Sequence, residues 1–511
     1  MNRMLISAAH KSSGKTTASI GLCAALSARG LSVQPYKKGP DYIDPMWLSQ
    51  ACGRACRNLD LYLMERDDVV STFVRNNSDI NLVEGNKGLY DGLALDGSNS
   101  NAELAKLLDL PVVLVIDARG MTRGIAPLIL GYQAFDKDIR IAGVILNNLG
   151  GSRHESKLRE VIEHYTEVPV IGAIQHDERL TIVERHLGLM PSNESGEAAR
   201  RIREIGAIIA GQVDLDQLLA LSAKEPLTAP AKTPLSNSLP QAGERANVKN
   251  NFQISAEISA FPSPEKLKIG IARDRAFGFY YADDLDALTA AGAVLVPFDT
   301  VKDAHLPDVD ALYIGGGFPE VFAAELEANA TLRAEIKRAV ESGMPAYAEC
   351  GGLMYLARQI SWQGKTHKMV GAIPGDVLVH NKPIGRGYVH LAENQEHLWP
   401  RPQTPSNEKS PPIQLSPASG RKGERENQPL IFAHEFHYSS LENLPPDTKF
   451  AYRVTRGHGI DGKHDGIVLH NLLASYTHLR TIGSCYWAAR FVAFVRRIKQ
   501  ENESLPMRAA Q

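Results

Sequence analysis

The chain has 511 residues, 43% of them hydrophobic, and a formal net charge of −2 at pH 7. This length exceeds what one hydrophobic core can organise, so we expect two domains. The near-neutral charge offers no basic face for nucleic acid and no polybasic tether for a membrane, and no apolar run is long enough to span one. Small-molecule chemistry is therefore the expected activity.

The chain has five widely scattered cysteines: Cys23, Cys52, Cys56, Cys350 and Cys485. An odd number without paired CxxC spacing argues against a disulfide framework and against a zinc site. The first residues are interrupted early by His10 and Lys11, unlike a signal peptide. These features predict a cytoplasmic protein.

The first motif runs from Ser7 to Thr17, after an apolar run and before a helical pattern that extends to about Arg29. A loop between a strand and a helix directs free backbone N–H groups and the positive end of the helix dipole at a phosphate. The usual phosphate loop has glycine where this chain has Ala9, so this loop is a variant. A small-residue turn that only caps the helix is the alternative.

Four residues of this loop are expected to bind nucleotide: Gly14, Lys15, Thr16 and Thr17. Lys15 would reach the outer phosphates of ATP, and the Thr16 hydroxyl would bind Mg²⁺. The loop therefore predicts both a nucleotide and a metal.

Up to about residue 222, short β-branched runs alternate with helical patterns. The predicted strands are 31–36, 80–84, 111–117, 140–146 and 168–173. This alternation predicts an α/β domain with a doubly wound parallel sheet. Ligands of such sheets bind beyond the carboxyl ends of the strands, so the residues that end these runs are candidates for chemistry.

Acidic residues end or follow several of those runs: Asp41, Asp44, Glu84, Asp91 and Asp117. Carboxylates opposite a phosphate loop bind Mg²⁺ and offset the charge that develops in phosphoryl transfer. We expect Asp41, Asp44 and Glu84 to be catalytic, with Asp41 and Glu84 also binding the metal. Local roles stay open, because acidic residues beside prolines shape turns and Asp117 is placed to cap a helix.

Lys37 and Lys38 lie just before these acidic residues. They would meet substrate carboxylates or phosphates, or would simply form a solvated face.

Two tracts are rich in proline, serine and amides, at 223–264 and 394–428. Their composition cannot bury enough apolar surface to offset the entropy of ordering. We therefore expect a disordered linker between domains at 1–222 and 265–500, and a polar insertion within the second domain.

The second domain resumes the α/β alternation, with predicted strands at 267–272, 293–298, 309–314 and 345–348. The last strand leads to a sharp turn at Cys350 and then a helix. This is a nucleophile-elbow arrangement with a thiol, and a helix N-terminus behind it favours thiolate. A buried, inert cysteine is the alternative.

A thiol nucleophile needs an oxyanion hole and a base. Mobile N–H groups of the glycine run, Gly316 and Gly317, together with the amide of Gly351, are the expected oxyanion donors. Three histidines after the elbow are candidate bases: His434, His437 and His478. Chemistry alone favours His478 without excluding the others, since such partners meet in space rather than along the chain.

Six motifs, in this order, resemble those of the cobyrinate a,c-diamide synthases. They are the segments 12–17, 38–45, 84–92, 315–320, 349–352 and 434–439. The resemblance covers nearly the whole chain apart from the polar tracts. It implies a dethiobiotin-synthetase-like phosphate-loop domain followed by a class I-like glutamine amidotransferase domain.

The resemblance also implies a reaction. ATP, with Mg²⁺, would phosphorylate the c and then the a carboxylate of cobyrinate, and ammonia freed from glutamine at Cys350 would displace the phosphate. It assigns His478 as the residue that activates the cysteine, and it leaves a homodimer open. The family usually continues with histidine two residues later, where this chain has Arg480, so any role of that position is in doubt.

Other activities remain open within and outside this family. Hydrogenobyrinate and nickel-sirohydrochlorin diamide synthases share the architecture, as do cobyric acid synthases, and no motif reports the metal of the macrocycle. Regulatory and partitioning ATPases share the phosphate loop but lack a second domain with a nucleophile elbow. An ammonia-dependent synthetase with a non-functional glutaminase is a third alternative.

Overall fold

The computed structural model describes residues 1–182, 184–185, 188–194, 196–229, 266–400, 430–482 and 485–509. The chain divides into two compact units, Met1–Ile254 and Ser255–Gln511. This division falls within the predicted linker, most of which, like residues 401–428 of the predicted insertion, lies outside the described residues. Within the described ranges no helix has the length and apolar character that a bilayer crossing needs.

The first unit alternates strands and helices. Its strands are β1 (Asn2–Ala8), β2 (Val33–Lys38), β3 (Arg57–Leu59), β4 (Ile80–Glu84), β5 (Val112–Asp117), β6 (Ile141–Leu149), β7 (Val170–Gln175), β8 (Glu184–Arg185) and β9 (Gly188–Leu189). Its helices are α1 (Lys15–Ala28), α2 (Ile43–Cys52), α3 (Arg66–Asn76), α4 (Asn101–Leu107), α5 (Ile125–Phe135), α6 (Ser152–Tyr165), α7 (Ala198–Gln212) and α8 (Leu215–Ser222). A 3₁₀ turn occupies Glu178–Leu180.

Strands β1 to β7 form one parallel sheet in the order β3-β2-β4-β1-β5-β6-β7. This confirms the predicted doubly wound fold. Helix α1 packs closely on α7, because Gly21 and Gly206 present no Cβ at the contact: one would lie 2.2 Å from Ile209 and the other 2.8 Å from Ala24. The packing fixes α1, and with it the loop at the carboxyl end of β1.

The second unit adds antiparallel strands to a parallel core. Its strands are β10 (Leu267–Ala272), β11 (Phe277–Phe279), β12 (Ala293–Phe298), β13 (Ala311–Ile314), β14 (Gly316–Gly317), β15 (Ala346–Glu349), β16 (Gln359–Trp362), β17 (Lys365–Lys368), β18 (Asp376–Val379), β19 (Gly385–Glu393), β20 (Ile431–His437), β21 (Ser439–Glu442), β22 (Lys449–Arg456), β23 (His464–Leu469) and β24 (Leu472–Ser475). Its helices are α9 (Ala282–Ala290), α10 (Ala323–Ala328), α11 (Ala330–Glu341), α12 (Gly351–Leu356) and α13 (Trp487–Ala509).

Its main sheet has the order β12-β10-β13-β15-β24-β23-β22-β19-β20. The first five strands are parallel, and the rest are antiparallel. Strands β19 and β20, which flank the predicted insertion, pair from Gly385–His437 to Leu391–Ile431. The insertion therefore connects two paired strands at the edge of the sheet.

Both polar tracts begin later than composition predicted. Lys224 donates its backbone N–H to the Met1 carbonyl (3.0 Å), and its ammonium pairs with Asp109 (2.7 Å). In the second tract, Trp399 is only 2% exposed and packs on Tyr347, with ring centroids 5.0 Å apart. The start of each tract thus belongs to a folded unit, since apolar packing and ion pairing offset the entropy that is lost when the segment becomes ordered.

We expect Trp399→Ala to lower the free energy of unfolding of the second unit by about 3–5 kcal/mol, because it empties a buried aromatic site. Urea denaturation followed by circular dichroism measures this. Leu378→Ala serves as the control, because Leu378 is 38% exposed on β18 and its truncation should cost under about 1 kcal/mol. Equal losses in the two variants would contradict the assignment of Trp399 to the core.

Candidate active sites

The phosphate loop of the first unit ends in a conformation that requires glycine. Gly14 has φ 88° and precedes α1 directly. A Cβ there would lie 2.1 Å from Nδ2 of Asn147, which donates to the Ser13 carbonyl at 2.9 Å. Positive φ and this contact both exclude a side chain. Asn147, from β6, fixes the loop, and the sequence analysis did not single it out.

Lys15 is buried at the start of α1. Burial lowers the pKa of Lys15, and the negative charge of Glu84 partly offsets that effect. Among the described residues, Lys15 has no hydrogen-bond or ion-pair partner, so its ammonium is available to an anion in the loop. Thr16 and Thr17 follow in the first turn, both half-buried.

The three predicted carboxylates meet around Thr16 and Lys37. The Thr16 hydroxyl lies 2.6 Å from Oε1 of Glu84 and 3.3 Å from Oδ2 of Asp44. The Lys37 ammonium contacts Asp44, and it lies 3.0 Å from Oε1 of Glu84 and 3.7 Å from Oδ2 of Asp41. Residues from three separate segments thus form one cluster, at the carboxyl ends of β2 and β4.

Burial and ion pairing both shift the pKa values of the groups in this cluster. Burial raises the pKa of Glu84, and burial together with Asp44 raises the pKa of Asp41. Burial opposes the charge on Lys37, but the surrounding carboxylates raise its pKa well above its usual range. Lys37 is therefore a cation held among carboxylates, which answers the question left open by the sequence.

The cluster fits Mg²⁺ by its donor set. Oε2 of Glu84 is buried and has no hydrogen-bond partner among the described residues. No group of three or more His, Cys, Asp or Glu residues in those ranges has the geometry to hold a metal by itself. Mg²⁺ does not need one, because it commonly takes one or two carboxylates and fills its shell with water and phosphate oxygens.

Asp41 also has the local role that the sequence left open. Its Oδ1 accepts hydrogen bonds from the backbone N–H groups of Ile43 (2.9 Å) and Asp44 (3.2 Å), at the start of α2. One carboxylate oxygen therefore caps the helix while the other faces Lys37.

The other candidates of the first unit have local partners. Oδ2 of Asp91 accepts the N–H of Gly88 at 2.8 Å, and Asp117 pairs with Arg119 at 2.6 Å. Lys38 donates to the Asn99 carbonyl, and burial lowers the pKa of Lys38 to about 8. These contacts place the three side chains outside the carboxylate cluster.

In the second unit, Cys350 forms the predicted elbow. It has φ 48° and ψ −103°, lies between β15 and α12, and is 6% exposed. Such a conformation is costly for a non-glycine residue and is typical of nucleophile turns. The backbone N–H of Cys350 donates to the Ser475 carbonyl at 2.7 Å. Helix α12, of six residues, begins directly after Cys350.

His478 is the histidine beside the thiol. Its imidazole is hydrogen-bonded to Cys350, and Nδ1 lies 3.4 Å from Oε2 of Glu349. Burial acts to lower the pKa of His478, but these two partners raise it to about 10. The geometry therefore favours His478 over the other two candidate bases.

The other two histidines support the loop that carries His478. The His434 carbonyl accepts the backbone N–H of His478 at 2.7 Å, and burial lowers the pKa of His434 to about 3. His437 stacks on Tyr476, with centroids 3.9 Å apart, and its Nδ1 donates to the Ser439 carbonyl at 2.8 Å. Neither ring is placed as the partner of the thiol.

The glycine run is held in a strand rather than in a free loop, which corrects the expected mobile backbone. Gly316 and Gly317 form β14, which pairs with β11. A Cβ on Gly316 would lie 2.6 Å from Cε1 of His478, and one on Gly351 would lie 2.8 Å from the Gly317 nitrogen. The run and the elbow are thus in close contact beside His478. The oxyanion role of these amides stays a prediction.

Comparison with known proteins identifies both units. Residues 5–189 match the CobQ/CobB/MinD/ParA nucleotide binding domain, and residues 268–484 match the CobB/CobQ-like glutamine amidotransferase domain. A cobyrinate a,c-diamide synthase of Magnetococcus marinus is 43% identical over 97% of this chain and 97% of its own length. This chain belongs to the cobyrinate a,c-diamide synthase family.

Further members of the family also match nearly the whole chain. The cobyrinate a,c-diamide synthases of Methanosarcina barkeri and Methanosarcina acetivorans are 41% and 43% identical, over 98% and 94% of this chain and 97% and 92% of their own. Among solved structures, PurLQS of Thermotoga maritima covers 46% of this chain and 100% of its own, with 16% identity and a TM-score of 0.32, and adds nothing to that assignment. Membership makes the chain an amidating ligase with a nucleotide-binding domain.

Arg480 is buried in this family member, at 1% exposure. Its guanidinium lies 3.3 Å from Oδ2 of Asp283 and 4.6 Å from the ring centroid of Tyr281. Arg480 therefore anchors the His478 loop to the start of α9.

Proposed function

We propose that this chain amidates the a and c carboxylates of cobyrinate in cobalamin biosynthesis, with ATP as phosphoryl donor and glutamine as nitrogen donor. The observation that carries the proposal is that one chain holds both sites, a phosphate loop facing carboxylates and a Cys350–His478 pair. The names of its full-length relatives support the substrate. The same proposal includes Mg²⁺ as the metal and a cytoplasmic location.

The first half-reaction activates a carboxylate. A carboxylate oxygen of the substrate attacks the γ-phosphorus of ATP, ADP leaves, and an acyl phosphate forms. Loop amides and Lys15 bind the phosphates, and the Lys37 ammonium adds positive charge beside them. Thr16, Asp41 and Glu84 would hold Mg²⁺, with Asp44 beside Thr16, and the metal would offset phosphate charge when it is bound.

The second half-reaction releases ammonia. His478 takes the thiol proton, and the Cys350 sulfur attacks the amide carbon of glutamine. Amides of Gly317 and Gly351 would bind the oxyanion. The C–N bond then breaks, ammonia leaves with the proton from His478, and water hydrolyses the thioester to glutamate and free thiol. Ammonia attacks the acyl phosphate, and phosphate leaves.

Mass spectrometry of the products tests this proposal. The purified chain, ATP and glutamine labelled with ¹⁵N in the amide are incubated with cobyrinate, with metal-free hydrogenobyrinate, or with nickel-sirohydrochlorin. We expect two ¹⁵N amides in the cobyrinate product and a lower rate with the other macrocycles. Faster diamidation of hydrogenobyrinate would transfer the assignment to that substrate, and no amidation of any macrocycle would overturn the function.

We expect Asp44→Asn and Glu84→Gln each to cut amidation with ammonia by about 100-fold or more, and Asp41→Asn to act similarly. Each change removes charge from the phosphate-facing cluster while keeping side-chain size. Asp117→Asn is the control, because its carboxylate pairs with Arg119 instead. If all three cluster variants kept turnover within about threefold, less than ~1 kcal/mol of barrier, their catalytic assignment would be withdrawn.

A further inference from the structure

Glu349, the residue directly before Cys350, is a buried carboxylate surrounded by donors. It is 1% exposed. Its Oε1 accepts from the Tyr347 hydroxyl at 2.6 Å and from the backbone N–H of Leu479 at 2.9 Å. Its Oε2 accepts from the Tyr313 hydroxyl at 3.1 Å and lies 3.4 Å from Nδ1 of His478. Both carboxylate oxygens therefore accept hydrogen bonds, which offset part of the cost of burying the carboxylate.

The two strands that carry this site explain why Glu349 reaches the histidine. Glu349 is paired with Ser475 in the register of β15 and β24. Beyond β24, the backbone N–H of Leu479 donates to Glu349, which ties the carboxylate to the backbone beside His478. The backbone therefore fixes the positions of the imidazole and the carboxylate relative to each other.

We propose that Glu349 is the positioning residue of His478, holding the imidazole with Nδ1–H toward its carboxylate and Nε2 toward the Cys350 thiol. The proposal rests on the proposed function, since glutamine hydrolysis is the reaction that this geometry serves. A buried carboxylate behind a histidine fixes its tautomer and stabilises the imidazolium that forms when the thiol loses its proton.

The surroundings keep this arrangement over a wide pH range. Burial and Glu349 raise the pKa of Tyr313 and of Tyr347 well above their usual range, so both hydroxyls remain donors. The titratable groups facing His478 are Cys350, Glu349 and His434, and the last is held neutral because burial lowers its pKa to about 3. Glu349 thus supplies the negative charge behind the ring.

Glu349→Gln tests the proposal. The amide keeps an oxygen for Leu479 and Tyr347, but its NH₂ group would donate to Nδ1 of His478 and force the proton onto Nε2, which then cannot accept from the thiol. We expect kcat for glutamine hydrolysis to fall about 10²-fold or more. The KM for glutamine should change little, and amidation with ammonia should stay near wild type.

Asp465→Asn is the matched control. Asp465 is fully buried, and its carboxylate accepts the backbone N–H groups of Tyr476 (3.0 Å) and Thr477 (3.0 Å). It therefore holds the same loop through contacts with the backbone of Tyr476 and Thr477. Any loss of activity in this variant reports a loosened loop rather than an altered imidazole.

The readout that separates the two roles is the pH dependence of Cys350 alkylation by iodoacetamide, followed by mass spectrometry of the Cys350 peptide. We expect Glu349→Gln to shift this profile upward by about 1 pH unit or more, because the imidazolium that stabilises the thiolate is weakened. Tyr347→Phe, which deletes one hydrogen bond to Glu349, should shift it less and in the same direction. Asp465→Asn should leave it in place.

A Glu349→Gln profile that superimposes on the wild type would overturn the proposal, as would equal shifts in Glu349→Gln and Asp465→Asn. If Glu349→Gln does not fold, the Tyr347→Phe shift decides the matter by its presence or absence. A wild-type chain without glutaminase activity would overturn the proposed function instead, and the alkylation profiles would still test the contact between Glu349 and His478.

Discussion

Lys15→Ala should abolish amidation whether glutamine or ammonia supplies the nitrogen. Lys15 is buried at the start of α1 with no hydrogen-bond or ion-pair partner among the described residues, and its loss removes the cation at the phosphates before an acyl phosphate can form. We expect turnover to fall by about 10³-fold or more, a cost of ~4 kcal/mol in barrier. ADP release and product mass, measured with concentrated ammonium, report this step directly.

Two comparisons make the Lys15 result specific. Lys11 is an exposed lysine of the same loop, so Lys11→Ala should stay within about threefold of wild type. Glutamine hydrolysis in Lys15→Ala should persist, because that site is in the other unit. Ammonia-supported amidation near the wild-type rate in Lys15→Ala would show that the loop does not bind the reacting phosphates.

The carboxylate cluster was predictable because parallel strands place their carboxyl ends at one edge. Asp44 follows β2 and Glu84 ends the neighbouring strand β4. The fold class alone therefore predicts that the two carboxylates lie close together. The positions of Lys37 and Lys38 could be predicted only from the orientation of successive side chains along β2. Successive strand residues point to opposite faces, so Lys37 enters the cluster and Lys38 turns to the Asn99 carbonyl. The sequence alone offered no way to choose between them.

In the second unit, composition placed the start of the polar insertion too early, because a few apolar residues lie within a mostly polar tract. Trp399 stands in a tract otherwise rich in polar residues and proline, yet it fills an aromatic cluster with Tyr347 and Phe491. Glu349 was overlooked because alternation along β15 points it away from Cys350. Only the return of the chain after β24 brings His478 within reach of both, and that return is a tertiary feature.

Cys350→Ala should eliminate glutamine hydrolysis, and His478→Ala should reduce it by about 10²–10⁴-fold. The thiol supplies the attacking sulfur, and the imidazole both accepts its proton and returns it to the leaving ammonia. Both variants should still form diamide from concentrated ammonium at mildly alkaline pH, where free ammonia is abundant. Glutamate release and diamide formation, assayed separately, measure the two half-reactions.

Cys485→Ala is the matched control for the nucleophile. Cys485 is also buried, and burial raises its pKa to about 12, so its thiol stays protonated and inert. Its replacement should leave glutaminase near wild type. Glutamine-dependent amidation that persisted in Cys350→Ala would end the claim that this thiol attacks glutamine. If ammonia fails to rescue a correctly folded Cys350→Ala, the cysteine matters to the synthetase step as well. Ammonia from solvent bypasses glutamine hydrolysis, so a thiol that acts only on glutamine is not needed under those conditions.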